Sequence, residues 1–506
     1  MDEFAAALGR AWTDDEPAEF LTALTGLPDR MGGSPGEREA AGIVADAFRD
    51  AGLADVETRP FDAAAWKRGE TTLAIEEAGR SPPAIALPYS PAGTVTGPVV
   101  DVGYGTPDEI AAADVDGAVV VASTTTPAGS RFLHRMEKYG TAVEAGAAGF
   151  LFANHVRGQL PPTGSLRFGE EAPVPAAGVS YETGERLRAL ADSDRSVSSG
   201  DERPHVGHRG GAAVGDGTGA GTGTEAGTGT ERAGSDGDDA PTRVTLDVDA
   251  TTTPGESQNV LGRLGPESDR AVLAVAHYDA HDVAEGALDN GCGIATLVTA
   301  ARVLAAADAE LDREVRFAAV GCEEVGLLGA EALADRLDLE GVAAVCNVDG
   351  AGRFRNLVAM THTSEATADV AREVATTTCH PVDVVSEPHP FSDQWPFVRR
   401  GVPALQLHSR ADDPAAATSE GADGGVGGGR GWGHTEADTL DKVDTRNVRE
   451  HGMLTAVAIR ELAAGERSFP RVETEALRTA FVENDYEPGM RAAGMWPEAW
   501  DTTDGE

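Results

Sequence analysis

Residues Ala271 to Gly293 read AVLAVAHYDAHDVAEGALDNGCG. An apolar run of strand character ends in His277 and Asp279, and a short acidic loop then carries Asp289 into the small-residue turn Asn290-Gly291-Cys292-Gly293. Beyond the turn, Ile294, Leu297, Val298 and Ala301 recur at helical spacing, which predicts strand, polar loop and helix in succession. In an open α/β sheet, ligands bind in the crevice beyond the carboxyl end of such a strand. One histidine and two carboxylates are thereby delivered to that crevice.

The surrounding chain repeats the pattern. Candidate strands VTLDVDA, AVLAVA, VRFAAV, AAVCNV, NLVAM and VPALQLH alternate with helical stretches after Asn290, after Leu327, from Ser364 to Thr377 and from Thr445 to Ala464. Such alternation predicts an α/β fold, a mixed and mostly parallel sheet with helices on both faces. Five places put ionisable residues at strand ends or in the loops after them: His277 with Asp279, Asp289, the pair Glu323-Glu324, Asp349 and His434. Imidazole nitrogen and carboxylate oxygen suit Zn²⁺ or a related divalent ion. Two such ions about 3.5–4 Å apart need one carboxylate shared between them. A single strand-end His or Asp is commonly a cap bonded to nearby backbone, but five of them at one edge are more than caps explain.

The rest of the chain divides by composition. Residues 1–88 hold a helix from Ser34 to Gly52, opened by Ser34-Pro35-Gly36-Glu37 as a capping box, then DVETRPF alternating like an edge strand. Residues 89–195 form a small β-rich domain from GPVVDVGYG, GAVVVAS, AAGFLFAN and VPAAGVS with two or three helices; lacking ligand-spaced clusters, it leaves His134 and His155 as surface or polar-core residues. Residues 196–241 are a low-complexity Gly/Thr/acidic linker, too poor in apolar groups to offset the entropy of ordering, so no role falls to His205 or His208. A second such stretch, Ala415 to Gly431, interrupts the informative region at 242–466, and 467–506 offers one helix and a polar tail.

The balance of 84 Asp+Glu against 41 Lys+Arg, a formal charge of -43, argues against nucleic acid or an anionic membrane as partner. Lysine occurs only at Lys67, Lys138 and Lys442. Acidic excess with arginine in place of lysine suggests adaptation to a high-salt cytoplasm, where screening removes the self-repulsion. Cys292, Cys322, Cys346 and Cys379 show no paired spacing and read as reduced, mostly buried thiols. The opening MDEFAAALGR lacks a signal pattern, and no run approaches the roughly 18 apolar residues of a membrane span. A soluble cytoplasmic protein is expected.

The order AHYDAHD, GALDNGCG, GCEEVGLLGAEAL, CNVDGAG and GHTEADTLDKVD resembles the co-catalytic di-zinc metallopeptidase family that holds bacterial zinc aminopeptidases, glutamate carboxypeptidase and the transferrin receptor. The resemblance implies two Zn²⁺ ions (or other divalent metals), with His277 and Asp349 on one, Glu324 and His434 on the other, and Asp289 bridging both. It further implies Asp279 orienting His277 and Glu323 as general base. The β-rich region, opening GTVTGPVVDVG, resembles the protease-associated (PA) domain that serves such enzymes as a lid or substrate-shaping element. The activity implied is removal of N-terminal residues from a peptide substrate. A carboxypeptidase, for which Arg399 or Arg400 is the visible carboxylate-binding cation, a glutaminyl cyclase and a non-catalytic binding protein are the rivals. Ser392, Asp393 and Trp395 read equally as pocket lining or as a cap followed by buried aromatics. Cys292 and Cys322 read as small core residues, Tyr278 and His281 are open to substrate contact, and the oligomeric state is undetermined.

Overall fold

The structure, a computed structural model, describes residues 3–501 apart from 77–78, 80, 159, 200–240, 308–310 and 411–431. Most of the expected acidic linker, and all of Ala415 to Gly431, lie outside the described residues. The helix Tyr181–Ser199 extends into the stretch expected to be linker.

Among the described residues, thirteen strands form one mixed sheet. In chain order they are β1 (Ala54–Ile75), β2 (Ala84–Ala86), β3 (Gly93–Asp101), β4 (Val119–Ser123), β5 (Gly149–Ala153), β6 (Ala176–Val179), β7 (Arg243–Leu264), β8 (Ala271–His277), β9 (Val315–Val320), β10 (Val342–Val348), β11 (Asn356–Met360), β12 (Val382–Val385) and β13 (Ala404–Arg410). Their spatial order is β12-β11-β13-β10-β8-β9-β7-β3-β4-β5-β6-β2. The long β7 is the spine: its first part pairs with β3, its last part with β9, and β1 runs antiparallel beside it. Only a short edge segment of β1 is legible in the sequence, because its many exposed residues and Pro60 blur the alternation. That proline is tolerated where β1 pairs with β7 alone.

The strands β13, β10, β8 and β9 are mutually parallel along the sheet, so their carboxyl ends share one edge. All residues of β8 and β10 are buried, the near-continuous apolar run of strands covered on both faces. Alternation within β8 splits its side chains between two cores. Val272, Ala274 and Ala276 face a cluster built with the helices Pro35–Asp50, Cys292–Ala305 and Thr445–Leu462. Leu273 and Val275 face a second cluster with the helix Leu328–Arg336 and the C-terminal segment. Helices on both faces follow from this division.

The Ser34 cap forms as expected, its hydroxyl accepting from the Glu37 N–H at 3.0 Å. The reciprocal half of the capping box does not. The Glu37 carboxylate instead accepts from the Gly33 N–H (2.7 Å), Ser257 Oγ (2.7 Å) and the Cys322 N–H (3.1 Å), tying the helix to β7 and to the loop before Glu323. Burial pushes its pKa up to about 8.

The C-terminal segment carries more structure than its sequence pattern shows. Two helices, Thr474–Glu483 and Glu487–Ala492, fold Phe481, Tyr486, Trp496 and Trp500 into an aromatic cluster with Trp395. Phe481 is fully buried there. We therefore expect Phe481→Ala to lower unfolding free energy by about 3–5 kcal/mol, measured by urea denaturation of the metal-free protein. A loss below about 1 kcal/mol would mean the segment is a loosely attached tail.

Candidate metal centre

The candidate side chains reach the shared sheet edge from four connections. His277 is the last residue of β8, Glu323 and Glu324 follow β9, Asp349 follows β10, and His434 comes from the loop before the helix Thr445–Leu462. Asp289 arrives through the turn after β8, where the Asp289–Asn290 peptide is cis. Asn290 fixes that turn to the end of β10, donating to the Val348 carbonyl (2.9 Å) and accepting from the Gly350 N–H (3.1 Å). The small residues are required by packing: a Cβ at Gly293 would lie 2.0 Å from Asn290 Oδ1.

Two buried groups result, His277 with Asp289 and Asp349, and His281 with Glu324 and His434. Asp289 stands between them. Its Oδ1 lies 3.7 Å from His277 Nε2 and its Oδ2 lies 3.2 Å from His434 Nε2. Glu324 Oε2 is 3.2 Å from His434 Nε2, while Asp349 Oδ1 is 3.9 Å from His277 Nε2. His277 Nε2, both nitrogens of His281 and Glu324 Oε1 are buried without a hydrogen-bond partner. Buried polar atoms are normally satisfied, so a cluster of acceptors and imidazoles left unmatched fits a centre built for cations.

The supporting shell is dense. Asp279 Oδ1 lies 3.3 Å from His277 Nδ1, and the two Asp279 oxygens accept from the Glu323 and Glu324 N–H groups at 3.0 and 3.2 Å. The same carboxylate thus faces the His277 ring and holds the Glu-Glu backbone. Ser392 Oγ donates to Asp349 Oδ2 at 2.8 Å and receives a bond from Asn347 Nδ2. Of the two readings open for this stretch, the buried aromatics hold, with Trp395 in the aromatic core, but Ser392 is not the cap of the helix Trp395–Val398 and instead supports a carboxylate of the centre. Asp438 accepts from the Leu288 and Asp289 N–H groups at 2.6 and 3.0 Å, and burial pushes its pKa up to about 6.

Sequence reasoning missed four participants. Arg353 is buried with its guanidinium 2.7 Å from Asp289 Oδ1, and its position four residues after Asp349 was the available signal. Thr163, within the β-rich region, accepts at its carbonyl from His434 Nδ1 (3.2 Å) and donates its N–H to the His434 carbonyl (2.9 Å). The shorter Thr163 contact calls for a proton on Nδ1, which Arg135 Nη1 also approaches at 3.5 Å, while Nε2 faces Asp289 and Glu324. Arg135 and His134 complete the set, lining a cleft with Ser165, Phe168, Phe391 and Glu323. His134 is therefore a buried helix cap at the cleft, stacked on Phe391 at 4.1 Å, whereas His155 bonds Thr124 away from it.

Other expectations are corrected. Tyr278 is fully buried and donates to the Gln258 carbonyl at 2.6 Å, so it is a core residue out of reach of substrate. Arg399 and Arg400 pair with Glu331, and Arg400 also with Asp335, on the helix Leu328–Arg336; the cation at the cleft is Arg135. Cys292 and Cys322 are buried free thiols, as expected, and Cys379 is exposed.

Comparison with known proteins agrees with this geometry. Residues 259–459 match the model of peptidase family M28, and residues 95–187 match the PA domain. The chain is 23% identical to aminopeptidase YwaD of Bacillus subtilis over 87% of this chain and 82% of that protein. It is 26% identical to a probable lipoprotein aminopeptidase, LpqL, of Mycobacterium tuberculosis, over 69% of this chain and 61% of that protein. The solved structure of BSAP, a zinc aminopeptidase from Bacillus subtilis, shares the fold with a TM-score of 0.62 at 22% identity, over 92% of this chain and 98% of that one. No helix among the described residues is long and apolar enough to cross a membrane. With the M28 match lying over the strands and loops that assemble the two ligand groups, the chain is a metallopeptidase whose catalytic region is similar to peptidase family M28 and which also carries a match to the PA domain.

Proposed function

We propose that this metallopeptidase is an aminopeptidase using two Zn²⁺ ions, with His277 and Asp349 at one, Glu324 and His434 at the other, and Asp289 shared. The observation that carries the reading is Asp289, whose two oxygens face different buried ligand groups. When bound, the ions supply Lewis acidity and a water that gives up its proton near neutral pH. Glu323 lies outside both groups and borders the cleft, with burial holding its carboxyl well above the usual carboxylate range. It accepts the proton of the attacking water and delivers it to the leaving amine. Asp279 fixes the His277 ring and, through the two N–H groups it accepts, the direction of Glu323. The B. subtilis and M. tuberculosis relatives are named as aminopeptidases, which supports the same assignment here.

Arg135 favours a second reading, a carboxypeptidase gripping a terminal carboxylate, because it is the cation that borders this cleft. Amino-acid anilides and N-blocked peptides separate the two. Turnover of anilides with free amines is expected; cleavage of blocked peptides alone would reject the aminopeptidase.

The division of labour proposed is 1–88 and 242–466 for the peptidase part, 89–195 for a PA-type domain that shapes the cleft, 196–241 as linker and 467–506 as an extension. We further place the enzyme in a salt-rich cytoplasm. Supporting this are the formal charge of -43 and four cysteines that are all free, as suits a reducing compartment. Both activity and Tm should rise as KCl is increased from about 0.2 M to about 3 M, where the Debye length falls to a few ångströms. A profile that declines across this range would remove the salt-adaptation reading.

A further inference from the structure

His281 belongs neither to the ligand set assigned above nor to the base Glu323 and its orienting Asp279, yet it sits inside the centre. Its Nε2 lies 3.0 Å from Glu324 Oε2, the oxygen that His434 Nε2 approaches at 3.2 Å. One ligand atom from each of His281, Glu324 and His434 falls within 4.8 Å of the others, and the two imidazole rings meet edge to face with centroids 4.5 Å apart. The His281 side chain is 4% exposed, and neither of its nitrogens makes a hydrogen bond. The short approach to Glu324 is therefore off the axis of a hydrogen bond. A buried imidazole unsatisfied at both nitrogens is costly unless another partner takes a lone pair.

The loop bearing His281 is held in place from both sides. Its neighbour Asp282 makes a two-point ion pair with Arg68 at 2.9 and 2.6 Å, and Arg68 also donates to Thr163 Oγ1 at 3.2 Å. Ala280 N–H donates to the Arg30 carbonyl at 3.1 Å, while Arg30 Nη2 donates to the carbonyls of Glu285 (2.9 Å) and Gly286 (2.8 Å). The imidazole is thus delivered to Glu324 by a fixed loop.

We propose that His281 is an additional ligand for the metal at Glu324 and His434, which makes the two sites unequal. With the shared Asp289, the site of His281, Glu324 and His434 then has four protein donors, two nitrogen and two carboxylate, the number that closes a tetrahedral zinc site. The site of His277, Asp289 and Asp349 has three and keeps a position open, the pattern of zinc sites where chemistry occurs. The closed site is the tighter one and holds its ion when the open site has exchanged. This inference rests on the two-metal reading of the centre.

The test is metal binding by the full chain, stripped by chelator and refilled with Zn²⁺ or Co²⁺. Wild type is expected to take up two ions in two resolved steps. Outer-shell partners of metal ligands are worth about 10–100-fold in affinity, so losing a direct ligand in His281→Ala or His281→Gln should weaken the tighter step by about 100-fold or more. The cobalt absorption spectrum of that step should change, and the zinc-induced rise in Tm should shrink. Metal-free wild type and variants are melted alongside, and the volume-retaining Gln variant carries the test if Ala lowers the metal-free Tm. Wild-type affinities and a wild-type cobalt spectrum in the Gln variant would overturn the proposal, even with an altered KM, because His281 would then contact substrate only. Uptake of fewer than two ions by wild type would instead overturn the two-metal reading itself.

Discussion

Replacing Glu323 with Gln is expected to lower kcat by about 10²–10⁴ while leaving two bound metal ions in place, because a positioned general base contributes a factor of that size. The expectation depends on Glu323 and Glu324, adjacent in sequence, having different surroundings. Glu324 is enclosed by His281 and His434, which outweigh its burial and hold its carboxyl well below the usual range. Glu323 lies 4.0 Å from His277 Nε2 with its side chain 11% exposed toward the cleft, and burial drives its carboxyl in the opposite direction. Paired carboxyls pushed apart in this way mark the one that carries protons and the one that stays ionised. Gln is nearly isosteric, and the Glu323 contact to Asp279 runs through the backbone N–H, so the loop geometry survives the substitution. Glu324→Gln should show the converse, a metal content below two. Full turnover in the Glu323 variant at saturating zinc would refute its assignment as base.

The parts of the centre that were legible in the sequence share one property. His277, Glu323, Glu324 and Asp349 sit at or just after apolar runs that can only be buried strands, so the period of the run predicts both the strand and the edge its end occupies. What stayed hidden depends on contacts between distant segments. Thr163 meets His434 through a carbonyl, and a carbonyl has no sequence signature. Arg135 reads as the start of an ordinary amphipathic helix, and only the placing of the β-rich region over the sheet edge brings it to Glu323. His281 lies in the opening stretch itself, but whether it faces substrate or Glu324 is decided by the Arg68–Asp282 pair reaching in from β1. The strand β1 was under-read for a related reason. It is stabilised by a long register with β7 rather than by its own alternation, and that pairing has no local trace. The C-terminal aromatics, spread singly along a polar stretch, likewise show their purpose only once they converge on Trp395.

Substitution of Asp289 is expected to damage the centre more broadly than any other single change, since it removes the one carboxylate placed between both ligand groups. In Asp289→Ala, His277 and Asp349 keep only each other, and Glu324 and His434 lose an oxygen donor 3.2 Å from the imidazole. Zinc content should fall from two equivalents to one or fewer, and turnover to background, measured by metal analysis after gel filtration together with an anilide assay. A second effect arises from Arg353, which is buried and donates its Nε–H to the Leu288 carbonyl while its Nη2 meets Asp289 Oδ1 at 2.7 Å. Removing that carboxylate leaves a buried guanidinium short of its nearest counter-charge, and breaking such a pair typically costs about 3–5 kcal/mol. The metal-free Ala variant should therefore be less stable than metal-free wild type, with Asp349, 3.7 Å from Arg353, providing only partial compensation. Asp289→Asn separates the two roles: its single oxygen can face Arg353 or His434 but not both, so it should recover much of the metal-free stability without recovering the second ion. Retention of two tightly bound zinc ions in the Asn variant would show that Asp289 serves Arg353 and the loop, with no carboxylate bridging the metals.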